Sequence, residues 1–363
     1  MRALPLVALA CALAVVTAPA QRKKKKEEQT QVLQVPRDLP SAVTGDARHF
    51  TFHVTPLSAR GLLSQQVRDA LRALARDNGG DTVLRLRAFV AGSGDLRRVR
   101  DIASDVFTDR KQPLPVLSLV QAGGLPMEGA QVVLESISVS RKEVNPQGLA
   151  FLSAQPAVSD NPLDPVAPLA AKSLAALAKE VKAAGSESAD VLRVTCFLSS
   201  LDNLAATRRL VEAEYPRAAL DYVQTQRVPG QAVAACEAVA RLHSAPAGGL
   251  AFLDSGAGLS QAALVSAPQV VLTGTQVSFG YQDADARLAF ERMARILEQA
   301  GTSPRAAAYV SYYPLSMGIA AQVRKLRGGF FDAPQPPAGS ILQFEGLPSM
   351  DAGFALDVLA IKQ

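Results

Sequence analysis

Three carboxylates occupy matching places in this 363-residue sequence and are its best candidates for catalytic chemistry. Each lies in an apolar, strand-like run, nine, eight or nine residues after the proline of a turn; they are Glu135, Glu237 and Asp357. A carboxylate that has no cationic partner can act as a general base. A structural acid, which caps backbone groups or pairs with a lysine, is the other interpretation, and the residues alone leave both open.

The same series of elements leads to each acid, at intervals of about 100 to 120 residues. An amphipathic helix ends at a glycine, and a strand, a second helix and an extended run before a Leu-Pro or Val-Pro turn follow it. The first helices are predicted over 64–78, 168–184 and 285–300, ending at Gly79, Gly185 and Gly301. The strands after them are predicted over 83–90, 191–198 and 308–313. The second helices are predicted over 95–107, 202–215 and 319–330, with Asp95 and Asp202 as N-caps.

Three segments with this order predict an α+β fold, in which each segment forms a mixed β-sheet with two helices. The segments are bounded at 45–143, 144–244 and 245–363. Strands are also predicted ahead of the first helix, over 148–155 in the second segment and within 259–278 in the third. The first segment offers only 49–54, so its first strand is lost, moved or unrecognisable.

The order and spacing of these elements resemble the RidA (YjgF) family over nearly the whole chain after residue 45. In the third segment LSQA, VVLTGTQVS and ILEQAG resemble the family's first strands and helix end. In the second, VLRVTCFLSSLDNLAATRRLVEAEYP resembles its central strand and second helix. The family has a small, chorismate-mutase-like α+β fold and usually assembles as a homotrimer with ligand clefts between subunits. The resemblance implies three RidA-like units that close as an intramolecular pseudo-trimer, and hence a monomeric chain.

The resemblance also implies where a site would lie. Deaminating members hold the substrate carboxylate with an arginine, whose two parallel N–H groups suit that task. Counting back from each proline turn puts this position at Leu117, Leu220 and Gly339, and none of them is arginine. The three acids match a family carboxylate that positions the attacking water, and Ser260 matches a hydroxyl that lines the cleft.

The missing arginines favour a non-catalytic or small-molecule-binding protein. The alternative is a hydrolytic imine or enamine deaminase with a modified cleft. A structural platform for a partner is a third hypothesis, and RNA cleavage is a fourth. Neither a cofactor nor a metal is expected, because His49 and His53 span about 13 Å on a strand and have no cysteine nearby.

The amino-acid composition indicates which kinds of partner the protein is expected to bind. The 48% hydrophobic content supports packed cores, while the absence of Trp and the 5% aromatic content argue against a stacking platform for nucleic acid. The net charge of +5 owes much to a basic run, RKKKK at 22–26, within a predicted linker or tail over 21–44. A small-molecule ligand is therefore expected, and nucleic acid is not.

Residues 1–20 have the basic start, apolar stretch and A-x-A end of a secretory signal peptide. This predicts a bacterial exported protein, periplasmic or secreted, with no stable membrane insertion after cleavage. The alternative is an uncleaved N-terminal anchor, because the basic run just after the apolar stretch resists export.

Cleavage would leave two cysteines, Cys196 and Cys236, each in a predicted core strand. They are either two small buried hydrophobic residues or, in an oxidising compartment and on neighbouring strands, a disulfide.

Overall fold

The computed structural model describes residues 37–362, except 93, 227–229 and 256–257. The predicted signal peptide, the basic run at 22–26 and most of the predicted linker lie outside the described residues. Within them, no helix combines the length and the apolar character that crossing a membrane requires.

The helices of the described chain follow the predicted periodicity. They are α1 (Leu63–Asp77), α2 (Leu96–Asp109), α3 (Val166–Ala183), α4 (Leu204–Glu214), α5 (Asp283–Gln299) and α6 (Met317–Leu326). Gly79, Gly185 and Gly301 follow the first helix of each segment with positive φ values of 58°, 73° and 82°, as predicted for glycines that close a helix. Asp95 caps α2 by accepting from the Arg97 N–H at 3.0 Å. The prediction for Asp202 is wrong, because Asn203, in a left-handed conformation, precedes α4 instead.

The strands of the described chain are given next, in chain order. They are β1 (Ala42–Gly45), β2 (Phe50–Val54), β3 (Thr82–Ala91), β4 (Val116–Ala122), β5 (Val132–Val139), β6 (Leu149–Ser159), β7 (Val191–Leu198), β8 (Ala219–Gln224), β9 (Ala232–Arg241), β10 (Leu250–Ser255), β11 (Ser260–Val265), β12 (Val270–Thr273), β13 (Gln276–Phe279), β14 (Ala307–Pro314), β15 (Ala338–Ile341) and β16 (Ala352–Ile361).

One pattern of pairing occurs three times. The strand between the two helices of each segment pairs in parallel with the next strand and antiparallel with the one after that. These sets are β3 with β4 and β5, β7 with β8 and β9, and β14 with β15 and β16. The order helix, strand, helix, strand, strand is therefore common to all three segments.

The described strands form two sheets. The larger has twelve strands, in the order β1-β12-β16-β14-β15-β11-β6-β9-β7-β8, with β10 beside β11 and β13 beside β16. The smaller has the order β2-β5-β3-β4. β8 and β2 are thus edge strands of different sheets.

Strand β1 differs from the sequence prediction, which assigned residues up to 44 to a linker. Ala42–Gly45 pairs antiparallel with β12 of the third segment, with Val43 opposite Leu272. Val43 packs against the buried cluster that contains Leu272, so an apolar contact holds this short strand in place.

Each pair of helices covers one face of its own strands. Leu177 of α3, for example, shares a buried cluster with Val194 of β7 and Ala238 of β9. The opposite faces turn inward, where Phe89, Phe197 and Tyr313 share one buried cluster although they come from three different segments. The segments therefore meet at a common centre.

Candidate functional site

The centre is built from alternate residues of β3, β7 and β14, because side chains two apart on a strand share a face. The first level is aromatic, with the Phe89 and Phe197 rings 5.8 Å apart in an edge-to-face arrangement. The next two levels are polar and come from register-equivalent positions: Arg87, Thr195 and Ser311, then Arg85, Arg193 and Tyr309.

The three candidate acids converge on these polar levels. Each is directly opposite one of the first polar set: Glu135 faces Arg87, Glu237 faces Thr195 and Asp357 faces Ser311. At most 1% of each acid is exposed. The structure thus brings the three sequence-predicted acids together in the interior of the protein.

Arginines neutralise the acids across the segments. The Arg87 guanidinium lies 2.6 Å from Glu135 and 2.6 Å from Glu237, while Arg193 lies 3.6 Å and 3.5 Å from the same two carboxylates. Arg85 lies 2.5 Å from Asp357. The structural interpretation of these acids named backbone groups or a lysine as partners; the partners in the structure are arginines.

Hydroxyl groups complete the hydrogen bonding of the acids. Thr195 donates to Glu135 at 2.5 Å, Tyr309 to Glu237 at 2.8 Å and Tyr313 to Asp357 at 2.9 Å. Ser118 also donates to Asp357, at 2.6 Å. We call these side chains and the three arginines the central network; satisfied contacts of this kind are what buried charges require.

The opposite charges in the central network shift the pKa values of Glu135 and Arg87. Burial alone would raise the pKa of Glu135, but Arg87 and Arg193 outweigh burial and lower that pKa to about 2. The two glutamates in turn raise the pKa of Arg87 against the effect of burial. A cavity of about 20 Å³ adjoins Glu135, which is room for one water molecule. Glu135 is therefore held in its ionised form, and the cavity beside it is too small for a substrate.

The positions that match the family arginine, Leu117, Leu220 and Gly339, lie outside the central network, each in a separate cleft. The Leu117 cleft has a volume of about 360 Å³, the Leu220 cleft about 430 Å³ and the Gly339 cleft about 310 Å³. Each cleft is lined by residues of two different segments. None of the three acids lines any of these clefts, so the structure separates the acids from the positions they were expected to serve.

The Leu117 cleft lies between the first and third segments. Arg97 and Arg100 of α2 line one side, and Thr275 lines the other. The Leu117 carbonyl accepts from the Thr275 N–H at 3.3 Å, and Asp38 binds Arg100 at 3.0 Å. The Leu117 carbonyl and the Arg100 guanidinium of this cleft therefore already have partners within the protein.

The Gly339 cleft contains the other predicted site residue, Ser260. The Ser260 hydroxyl is buried and donates to the Pro336 carbonyl at 2.5 Å, and the Ser153 hydroxyl accepts from the Gly339 N–H at 2.8 Å. Arg324 of α6 and Arg327, the first residue after α6, also line this cleft. Among its described lining residues there is no Asp or Glu. The cleft therefore presents positive charge, while the hydroxyl groups of Ser260 and Ser153 are already hydrogen-bonded.

Close backbone packing explains the glycine at position 339. A Cβ atom added there would lie 2.0 Å from the Val310 carbonyl oxygen, because β15 passes directly beside β14. No side chain, and hence no arginine, fits at this position without moving the backbone.

The two cysteines lie on neighbouring strands. Cys196 of β7 is directly opposite Cys236 of β9, with their Cα atoms 4.1 Å apart, and the structure joins them by a disulfide. Both are fully buried beneath α3.

In the part of the chain that the structure describes, no three His, Cys, Asp or Glu side chains come together in a group that could hold a metal ion.

The arginines of the central network are the residues at the centre that sequence reasoning missed. A signal for them exists in the predicted core strands, where VLRLRAFV and VLRVTCFL place Arg85, Arg87 and Arg193 among apolar residues. An arginine in a buried strand requires a carboxylate, and each segment offers one.

The comparisons with known proteins concern the fold. No family model matches the chain, and no curated protein matches it. Among solved structures the chain is similar to YyfB of the conserved Rid family from Yersinia pestis, with 17% identity, 32% of this chain and 94% of that chain covered, and a TM-score of 0.28. It is also similar to NMB1025, a YjgF family member from Neisseria meningitidis, at 15% identity, 31% and 95% coverage and a TM-score of 0.25. A third is E. coli TdcF with bound serine, at 22% identity, 26% and 81% coverage and a TM-score of 0.24. The likeness is to a RidA-like fold over about a quarter to a third of this chain.

Proposed function

We propose that residues 45–143, 144–244 and 245–363 are three RidA-like units that close within one chain as a pseudo-trimer. The shared order of elements, the register-equivalent positions at the centre and the three clefts between segments support this proposal. A chain closed in this way is monomeric, and sedimentation equilibrium of the purified protein tests that directly.

The function we propose is binding of a small organic anion, such as a carboxylate, in the Gly339 cleft. One observation carries the proposal: two guanidinium groups line this cleft, and among the described residues no acidic side chain lines it or pairs with Arg324. The Leu117 cleft also has two arginines, but Asp95 and Asp38 already pair with them. Arg324 is exposed on α6 and can meet a carboxylate through two N–H groups. Arg324 of α6 would thus supply the positive charge that an arginine at position 339 supplies in the deaminating family members.

Binding without hydrolysis is the form of this function that the chemistry supports. Hydrolysis of an imine needs a base to activate water. The three acids that were candidates for this task are held by arginines in the central network, away from the cleft. A hydrolytic deaminase therefore remains the alternative function, and turnover distinguishes the two.

Calorimetric titration with benzoate and with benzamide tests the anion site, because the two probes have similar size and differ in charge. We expect benzoate to bind at least tenfold more tightly than benzamide, and Arg324→Gln to remove that preference, since a charge-assisted hydrogen bond contributes about 1.5–3 kcal/mol. Arg97→Gln, in the Leu117 cleft, is the matched control and should change nothing. Equal binding of both probes would exclude an anion site.

Turnover is measured with 2-iminopropionate generated in situ by an amino-acid oxidase. Its rate of loss with the protein should equal that of a buffer blank. A rate above the blank that disappears in the Ser260→Ala variant would establish the deaminase alternative in place of a binding protein.

We also propose that the protein acts after export, in the periplasm or outside the cell, with small molecules rather than nucleic acid as its partners. The signal-like residues 1–20 and the pairing of Cys196 with Cys236 support export, because disulfides persist in oxidising compartments. Cell fractionation combined with N-terminal sequencing tests cleavage after residue 20 against the alternative of an uncleaved anchor.

A further inference from the structure

The Leu220 cleft contains a buried carboxyl group that the proposed function does not use. Asp221, on the edge strand β8, is 4% exposed, and its Oδ1 accepts from the Tyr222 N–H at 2.9 Å. Its Oδ2 has no hydrogen-bond partner among the residues that the structure describes, nor has the buried Tyr222 hydroxyl. Both residues line the cleft of about 430 Å³. Adjacent side chains of a strand point to opposite faces, so the cleft adjoins an unpaired carboxyl oxygen on one face of β8 and an unpaired hydroxyl on the other.

The central network explains why Asp221 is not satisfied from within. Three arginines and three carboxylates already balance there, and Asp221 is an additional acid beside them. Burial raises the pKa of Asp221 well above its ordinary value; Glu135 raises it further, while Arg87 and Arg193 partly oppose the shift. Burial and Glu135 thus favour the protonated form of this carboxyl group.

The rim of the Leu220 cleft also carries more negative than positive side chains. Asp77 of α1 and Glu212 of α4 line it, against one cation, Arg208. The Arg208 guanidinium lies over the Tyr222 ring, 5.5 Å from its centroid. With Asp221 ionised, three acids would face one arginine, which is the opposite balance from the Gly339 cleft.

We propose that the Leu220 cleft binds a small organic cation whose primary ammonium group donates a hydrogen bond to Asp221 Oδ2. The ammonium supplies the positive charge that an ionised Asp221 lacks, so Asp221 releases its proton to solvent as the cation binds. The site lies between the first and second segments and is independent of the anion site proposed for the Gly339 cleft.

Calorimetric titration with n-butylamine, in two buffers of different ionisation enthalpy, tests the site on the full chain; butan-1-ol is the neutral control of similar size. At pH 7 we expect binding of the amine, release of up to one proton for each amine bound, and at least tenfold weaker binding of the alcohol. Asp221→Ser introduces the residue of the register-equivalent positions Ser118 and Ser340, so the fold should accept it. This variant should bind the amine at least tenfold more weakly and release no proton.

Asp202→Asn, at an exposed acid, should leave both quantities unchanged, and so should Arg324→Gln in the anion cleft. Carbon NMR of the Asp221 carboxyl provides a measurement that needs no variant: its apparent pKa should fall when n-butylamine is added. Equal affinities for the amine and the alcohol, or an Asp221 titration that saturating amine does not move, would overturn the proposal. Loss of benzoate binding with amine binding intact would affect only the anion site.

Discussion

The Arg87 guanidinium of β3 and the Glu237 carboxylate of β9 lie 2.6 Å apart, although 150 residues separate them in the chain. Arg87 also holds Glu135 of its own segment, so one guanidinium joins two segments. Together with the ion pair between Arg85 of the first segment and Asp357 of the third, this contact makes the acids of the three segments parts of one buried structure.

Replacement of Arg87 by methionine should destabilise the protein strongly. The change keeps a long side chain but leaves Glu135 and Glu237 without their closest cation, and removal of one partner from a buried ion pair costs about 3–5 kcal/mol. The free energy of unfolding in urea provides the measurement. Arg97→Met, at an exposed arginine, is the control and should stay within about 0.5 kcal/mol of the parent. A loss below about 1 kcal/mol for Arg87→Met would contradict the central network.

Acid should destabilise the protein through Glu135. Its folded pKa of about 2 lies below the ordinary value of 4.5, so its stabilising contribution is complete above pH 4.5 and is lost as the pH falls toward 2. The difference in unfolding free energy between the parent and Glu135→Gln should therefore shrink over this range, by on the order of 3 kcal/mol. Glu128→Gln, at an exposed position, should show no such change. A difference that is constant between pH 5 and pH 2 would mean that Glu135 is not paired as the structure shows.

Alanine at position 339 should be poorly tolerated. The added Cβ atom would meet the Val310 carbonyl oxygen at 2.0 Å, and forcing atoms into a packed interior costs about 2 kcal/mol or more. Thermal unfolding of Gly339→Ala measures this effect. Gly328→Ala is the control, because it makes the same substitution where nothing lies within 4 Å of the added Cβ atom. The free energy of unfolding of this variant should differ from that of the parent by less than about 1 kcal/mol. The family-like arginine should therefore be introduced at Leu220 rather than at Gly339.

Reduction should weaken the second segment. The Cys196–Cys236 bond closes a loop with a sequence separation of 40, for which chain entropy predicts about 4 kcal/mol of stabilisation. Dithiothreitol should lower the urea midpoint of the parent and leave the midpoint of a Cys196→Ala, Cys236→Ala double variant unchanged. Peptide mapping without reductant should recover the two cysteines as one linked pair; alkylation of both in the native protein would show free thiols.

The sequence predicted those features that depend on short stretches of chain. Helical and strand periodicity located the elements. The positions that the family resemblance implied, Leu117, Leu220 and Gly339, each line a cleft, and their role in binding a ligand stays a prediction. It did not reveal the ion pairs, because Arg85 meets Asp357 across 272 residues and only the three-dimensional arrangement defines such a contact. For the same reason β1 was assigned to a linker: its partner, β12, belongs to another segment.

The register-equivalent positions Arg85, Arg193 and Tyr309 have a genetic consequence. In an assembly of identical subunits a single codon sets all three residues around the axis, so an arginine there would appear three times and a tyrosine three times. Here a separate codon sets each one. Mutation can therefore adjust the charge at the centre one residue at a time, and can change one cleft while the other two keep their present chemistry.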